Sequence, residues 1–214
     1  MLSSSLMDVL RSAAPFALPA PWEPLLEGAY AAGRRAYHTL SHVAEVARTF
    51  EGVGERLGWD RPGEIYVAVL FHDAVYDASR KDNEARSADL AAQALAAEPG
   101  LALDPARVRE LILLTARHGQ LGAEGLDRDA RHFLDCDMAI LGADEAAYTD
   151  YEAGVKFEYE EAYPGPLYRM GRAQFLESLL ARDRIFLSDD FHARLDGKAR
   201  ANVRRALAAL RAEV

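Results

Sequence analysis

Apolar residues along this 214-residue chain recur mainly at spacings of three and four, the period of an amphipathic helix rather than that of a strand. Alanine, leucine, glutamate and arginine, which are all strong helix formers, dominate the sequence. Short breaks that contain proline or glycine separate the periodic segments, and neither an internal repeat nor a low-complexity linker is present. The pattern predicts an all-α protein, with a length that suits one large domain or two small ones.

Capping residues mark helix boundaries in the second half of the chain. Three aspartates are predicted N-caps: Asp104, Asp127 and Asp144. Their helices are predicted to end near His118, at Gly142 and before Pro164, with Gly119 closing the first. His118 lies seven residues beyond Leu111, on the apolar stripe of the first helix. We therefore expect the His118 side chain to point inward.

One apolar run does not reveal its secondary structure by periodicity. The stretch "IYVAVLFHD", residues 65–73, is rich in β-branched and aromatic residues and suits a buried strand as well as a buried helix. A parallel strand needs partner strands, and no comparable runs alternate with the predicted helices. We therefore predict a helix here.

Composition limits the classes of partner. The formal net charge is -9, with 34 acidic and 25 basic residues, which disfavours nucleic-acid polymers and anionic lipid surfaces. A small phosphorylated ligand is compatible with this charge if a metal or local basic residues bind it.

The one cysteine, Cys136, excludes an intramolecular disulfide framework. With no apolar run long enough to span a bilayer and no convincing signal peptide, we expect a soluble, cytoplasmic protein without a membrane partner. The oligomeric state, a homo-oligomer included, stays open.

Histidines accompany two of the apolar segments. His38 and His42 are four positions apart, so on a helix their imidazoles would project from nearly the same face. His72 and Asp73 end the apolar run of residues 65–73. Burying an unpaired ionised carboxylate costs on the order of several kcal/mol unless a metal or cation compensates it. Core histidines and a solvated helix-end aspartate are the alternatives to a metal site.

An aspartate also interrupts the apolar stripe of residues 131–143. On a helix Asp137 shares a face with Phe133 and Ile140, whereas Asp135 lies about 160° away from Asp137. Asp137 is therefore predicted to be a buried acid, either a metal ligand or the partner of an arginine. Asp135 is interpreted as a solvated acid or a supporting residue, and Cys136 as a small buried residue.

Together these positions supply two imidazoles and two carboxylates, a mixed nitrogen and oxygen set that suits a divalent transition ion or magnesium. They follow one another in the order His42, His72-Asp73, Asp137, and Val46-Ala47 follows the first histidine. This order resembles the HD-domain superfamily of metal-dependent phosphohydrolases. Seven ordered segments resemble its predicted bacterial phosphohydrolase subgroup across residues 20–210: "YHTLSHV", "FHDAVYD", "DNEARSA", "TARH", "DCDMAILG", "YEAGVKFEY" and "GRAQFLESLLARDRIF".

The resemblance implies an HD-type helical bundle that forms a single domain over residues 1–214. It implies one divalent ion, with Mn, Mg, Co, Ni, Zn and Fe all open, and it favours His42 over His38 as the first ligand. The implied ligands are His42, His72, Asp73 and Asp137.

The remaining candidate residues would act on the substrate. His38 and His118 are expected to contact the substrate or a coordinated water. Asp82 or Glu84 is a candidate general acid, the alternative being a helix cap formed by Asp82 or Asn83. The candidate phosphate-binding residues are all basic, although each also suits a solvated surface charge: Arg34, Arg35, Lys81, Lys156 and Arg172. Lys156 and Arg172 rank highest, because both lie in segments that carry the resemblance.

The expected activity is hydrolysis of a phosphomonoester or phosphodiester, with a nucleotide-like small molecule as the favoured substrate class. Two alternatives stay open. An HD-type di-iron oxygenase would use His38 and His118 at a second metal, but no histidine lies between Asp73 and His118, so that site would need a carboxylate such as Glu84. A catalytically silent nucleotide-binding or regulatory module is disfavoured because every position of the metal motif is filled.

Overall fold

A computed structural model describes residues 2–212, with side chains from residue 6 onward, and all regular elements in this part of the chain are helical. The all-α prediction is therefore confirmed. The α-helices are α1 (Leu2–Ser12), α2 (Trp22–Ala31), α3 (Leu40–Leu57), α4 (Pro62–Phe71), α5 (Asn83–Ala96), α6 (Pro105–Thr115), α7 (Arg128–Met138), α8 (Glu145–Tyr159), α9 (Pro166–Leu180) and α10 (Asp189–Ala212). Short 3₁₀ helices cover Pro99–Leu101 and Ala139–Gly142. None of the described helices is long and apolar enough to span a membrane.

Helices α1–α6 belong to the first of two compact units, Met1–Ala116. Helix α4 contacts α3, α5 and α6, while α1 and α2 pack against α3. Every residue from Gly63 to Phe71 is buried. A helix that is buried around its whole circumference has no polar face, which explains why periodicity could not distinguish it from a strand. The predicted helix is confirmed, and it ends so that His72 and Asp73 follow directly.

Helices α7–α10 belong to the second compact unit, Arg117–Val214. Here α10 contacts α8, α9 and the 3₁₀ helix Ala139–Gly142, which continues α7 by one tighter turn. Whether the whole chain is a single domain stays a prediction.

All three predicted N-caps are confirmed. Asp104 accepts from the Ala106 N–H at 2.9 Å. Asp127 accepts from the Ala130 N–H at 2.8 Å, and Asp144 from the Ala147 N–H at 3.0 Å. These short side chains satisfy backbone donors that have no partner within the helix, which fixes the starts of α6, α7 and α8.

Helix α6 is shorter than predicted. It ends at Thr115 rather than near His118, and residues 116–120 form turns. Arg182 stabilises this turn by donating to the carbonyl oxygens of His118 and Leu121. Gly119 does not close the helix; a Cβ at this position would lie 2.9 Å from Cε2 of Phe175. The lack of a side chain at Gly119 lets the Phe175 ring pack against this turn.

Asp135 corrects a second expectation, because it is not a solvated acid. Its exposed fraction is 1%. Its carboxylate accepts from the N–H groups of Leu187 and Ser188, both at 2.7 Å, and from the Ser188 hydroxyl at 2.6 Å. Burial raises the pKa of Asp135 to about 6, although these hydrogen bonds oppose the increase. Asp135 therefore holds the segment that precedes α10. The prediction that Cys136 is a small buried residue is confirmed.

Candidate metal centre

Two buried histidines and an aspartate meet in the first unit. His42 lies in the first turn of α3, while His72 and Asp73 directly follow α4. His42 and His72 are 3% and 1% exposed. Their Nε2 atoms are 3.2 Å apart, and Asp73 Oδ2 lies 3.1 Å from His72 Nε2 and 3.7 Å from His42 Nε2. Three potential ligand atoms thus converge in a largely buried position.

The tautomer of His72 follows from its second ring nitrogen. Nδ1 lies 3.0 Å from the carbonyl oxygen of Val69, one turn earlier in the chain. A carbonyl oxygen only accepts hydrogen bonds, so this contact requires the proton on Nδ1. Neutral His72 therefore presents an Nε2 lone pair toward His42 and Asp73. Orientation of one ring nitrogen by a backbone carbonyl is typical of histidines that bind metals through the other.

Helix α7 carries a buried carboxylate. Asp137, near the end of α7, is 8% exposed, as its position in the apolar stripe predicts. His118 lies beside it: Nδ1 is 2.8 Å from Asp137 Oδ2, although the two atoms are not aligned as a hydrogen bond. The inward orientation expected for this histidine thus agrees with a half-buried ring next to a carboxylate.

Four residues form a group that could hold a metal ion, referred to below as the ligand group: His42, His72, Asp73 and Asp137. Each offers one ligand atom, and these atoms all lie within 4.8 Å of one another. With neutral imidazoles, its two carboxylates carry a formal charge of about -2, which matches a divalent cation. The nitrogen and oxygen donors fit such an ion chemically. Metal binding itself stays a prediction.

His38 occupies a different position from the one its spacing suggested. Helix α3 begins at Leu40, so His38 precedes the helix instead of sharing one of its faces with His42. Its ring stacks on Tyr76, with centroids 4.3 Å apart, and lies 6.0 Å from the His42 ring. The ligand group includes His42 and not His38, in agreement with the preference implied by the resemblance. Tyr76 as the stacking partner was not predicted.

The two candidate acids differ in environment. Asp82 occupies the N-cap position of α5, but its side chain does not cap the helix. It accepts instead from Arg80, at 2.7 and 2.6 Å. These hydrogen bonds lower the pKa of Asp82. Glu84 is half-buried in the first turn of α5, and Asn83 bonds the backbone of Asp77 at 3.1 and 2.8 Å. The predicted side-chain cap is therefore wrong for both Asp82 and Asn83.

The candidate phosphate-binding residues also differ. Lys81 and Lys156 are exposed. Arg172 is buried and donates to both carboxylate oxygens of Glu152, at 3.1 and 2.7 Å. Burial alone would lower the pKa of Arg172, but Tyr151 and Glu152 hold it well above its ordinary value. The sequence did not indicate Glu152, because no local pattern links positions 20 residues apart.

Comparisons of the chain with protein-family models, curated proteins and solved structures found no match. The geometry of the ligand group and its surroundings therefore has to support any functional assignment.

Proposed function

We propose that the protein is a metal-dependent phosphohydrolase of the HD superfamily that acts on a small phosphorylated molecule, with nucleotides as the favoured class. The ligand group carries the proposal, because it combines buried histidines, two carboxylates and ligand atoms that converge within 4.8 Å. It would hold one divalent cation. When bound, such a cation acidifies water and polarises a phosphoryl oxygen.

Within the ligand group, each side chain has a distinct part. His72 is held by Val69 so that the Nε2 lone pair is presented to the cation. Asp73 and Asp137 supply the negative charge that favours a divalent ion over a proton or a monovalent ion. His38 and His118 would contact the substrate from the edge of the group.

Glu84 is the better of the two candidate general acids. A general acid works best when its pKa lies near the working pH. The hydrogen bonds from Arg80 lower the pKa of Asp82 and stabilise its ionised form, which is unsuited to proton donation. Glu84 would therefore deliver the proton to the leaving oxygen.

Lys81 and Lys156, which are exposed, would neutralise the phosphate charge. Arg172 already pairs with Glu152, so it would contribute hydrogen bonds rather than net positive charge.

The test is phosphate release from a panel of nucleotides and other phosphoesters by protein loaded with Mn²⁺, Co²⁺ or Mg²⁺. We expect turnover that chelation abolishes. Glu84→Gln should lower the rate about 10²- to 10⁴-fold with metal content retained, while the matched variant Asp82→Asn stays near the parent rate.

Two results would contradict the proposed hydrolase, and a third would contradict the assignment of Glu84 as the general acid. Metal-loaded protein that is inert toward the panel yet consumes dioxygen with two reducible irons would support the oxygenase alternative. Nucleotide binding without turnover by any metal form would support a silent binding module. Equal rates for the parent and Glu84→Gln would return Glu84 to a structural part in α5.

A further inference from the structure

Arg35, in the segment before α3, donates several hydrogen bonds to backbone carbonyl groups. Its Nε donates to the Ala32 carbonyl oxygen at 2.9 Å. Nη1 donates to the carbonyl oxygens of His38 and Asp73, at 2.7 and 2.8 Å, and Nη2 donates to that of Ala74 at 3.0 Å. At least four of the five N–H groups of a guanidinium are therefore bound to backbone.

These four carbonyl groups belong to two segments that are far apart in sequence. Residues 32–38 lead into α3, which carries His42, whereas residues 73 and 74 follow α4 and His72. Nη1 bridges the two segments directly, because it donates to His38 and Asp73 together. Arg35 thus connects the backbone on either side of the three ligands that the first unit supplies.

Two aromatic rings hold the guanidinium in this position. Its Cζ lies 5.2 Å from the centroid of Tyr30 and 5.3 Å from that of Tyr76. Tyr76 also stacks on His38, with centroids 4.3 Å apart. Arginine suits this environment because its planar cation both stacks on aromatic faces and donates in several fixed directions.

We propose that Arg35 is a positioning residue that fixes His42 against His72 and Asp73, and that it does not bind phosphate. The proposal rests on the proposed metal site. The 3.2 Å approach of the two Nε2 atoms depends on the relative placement of the start of α3 and the end of α4. Loss of Arg35 would let these segments shift, and a metal site that is misplaced by a fraction of an ångström binds its ion less tightly.

The test measures Co²⁺ affinity and the visible absorption spectrum of bound Co²⁺ in the full-length chain, with Arg35→Ala and Arg35→Lys. Both variants should weaken Co²⁺ binding about 10- to 100-fold, the usual effect of removing groups that orient ligands. Lysine keeps the positive charge, but its three donors on one nitrogen cannot bind the four carbonyl groups in fixed directions. The absorption spectrum of bound Co²⁺ should also change in both variants, because the ligands are displaced.

Arg200 provides a matched control in the second unit. It also donates to three backbone carbonyl oxygens, those of Leu180, Arg182 and Asp183, at 3.4, 2.7 and 2.8 Å. Arg200→Ala should destabilise the protein yet keep the parent Co²⁺ affinity and spectrum.

Parent-like Co²⁺ binding by Arg35→Ala, restoration of parent affinity by Arg35→Lys, or equal weakening in Arg200→Ala would each overturn the positioning proposal. A parent that binds Co²⁺ but releases no phosphate overturns only the proposed hydrolase, whereas a parent that binds no Co²⁺ overturns both.

Discussion

Two aspartates only two residues apart on α7 have different environments. Asp135 accepts hydrogen bonds from Leu187 and Ser188, while Asp137 lies beside His118 and belongs to the ligand group. The helical pattern predicted that the two would point to opposite sides. It could not predict that both sides are buried, because the segment that covers Asp135 lies 52 residues further along the chain.

The different environments of Asp135 and Asp137 predict different effects when each is replaced by asparagine. Asp137→Asn removes a charged ligand, so metal content after dialysis should fall strongly. Asp135→Asn should keep the metal but lower the free energy of unfolding by about 1–3 kcal/mol, because an amide offers one acceptor where the carboxylate uses two. Metal analysis and urea denaturation measure the two effects. Equal metal retention by both variants would contradict the assignment of Asp137 as a ligand.

At the scale of elements, the sequence indicated helix starts better than helix ends. Asp104, Asp127 and Asp144 cap as predicted because an N-cap depends on a side chain and a backbone only two or three residues apart. The sequence predicted that α6 ends near His118, but the helix ends at Thr115. The pattern missed this end because Arg182, 64 residues from His118, binds the turn that follows the helix. The buried position of Asp137 followed from the pattern of one helix, and the resemblance implied the other three ligands. The bridging contacts of Arg35 combine segments that no local pattern relates.

The segment 185–188, which leads into α10, is held by a second buried carboxylate. Asp196 accepts from the Ile185 and Phe186 N–H groups, at 2.7 and 3.4 Å, and from Arg200 Nε at 2.6 Å. Burial would raise the pKa of Asp196, but the hydrogen bonds from Arg200 and the backbone outweigh it, so the pKa is lowered. The folded protein thus favours the ionised form more than the unfolded chain does.

The lowered pKa gives a pH dependence with a defined sign. The contribution of Asp196 to stability is complete above its unfolded pKa, near 4, and is lost as the pH falls through its lower folded pKa. The parent should therefore lose more unfolding free energy than Asp196→Asn between about pH 6 and pH 3. Urea denaturation of chelated protein at a series of pH values measures this difference, and using both proteins cancels the opposite contribution of Asp135. Parallel pH profiles of the unfolding free energy for the two proteins would contradict the predicted contribution of Asp196.

At the scale of the whole molecule, negative charge is abundant, with a formal net charge of -9. Two of the charges counted in this total, those of the ligand-group carboxylates, lie in largely buried positions, where water compensates charge poorly. A divalent cation would neutralise them locally. The same ion that is proposed for catalysis is therefore expected to stabilise the folded chain, and this effect can be measured without any substrate.

The last prediction concerns metal removal. A ligand that binds only the folded state stabilises it by about 2.7 kcal/mol at a concentration 100 times its Kd, and a chain of this size gains about 2–4 °C in Tm per kcal/mol. Saturating Co²⁺ or Mn²⁺ should thus raise the Tm of chelated protein by about 5–10 °C, as followed by circular dichroism. Asp137→Asn should show little increase, and Arg35→Ala should need a higher metal concentration for the same increase, because its Kd is raised while its ligands are intact. A parent Tm that metal does not change would contradict metal binding. An increase of equal size and midpoint in all three proteins would place the ion outside the ligand group.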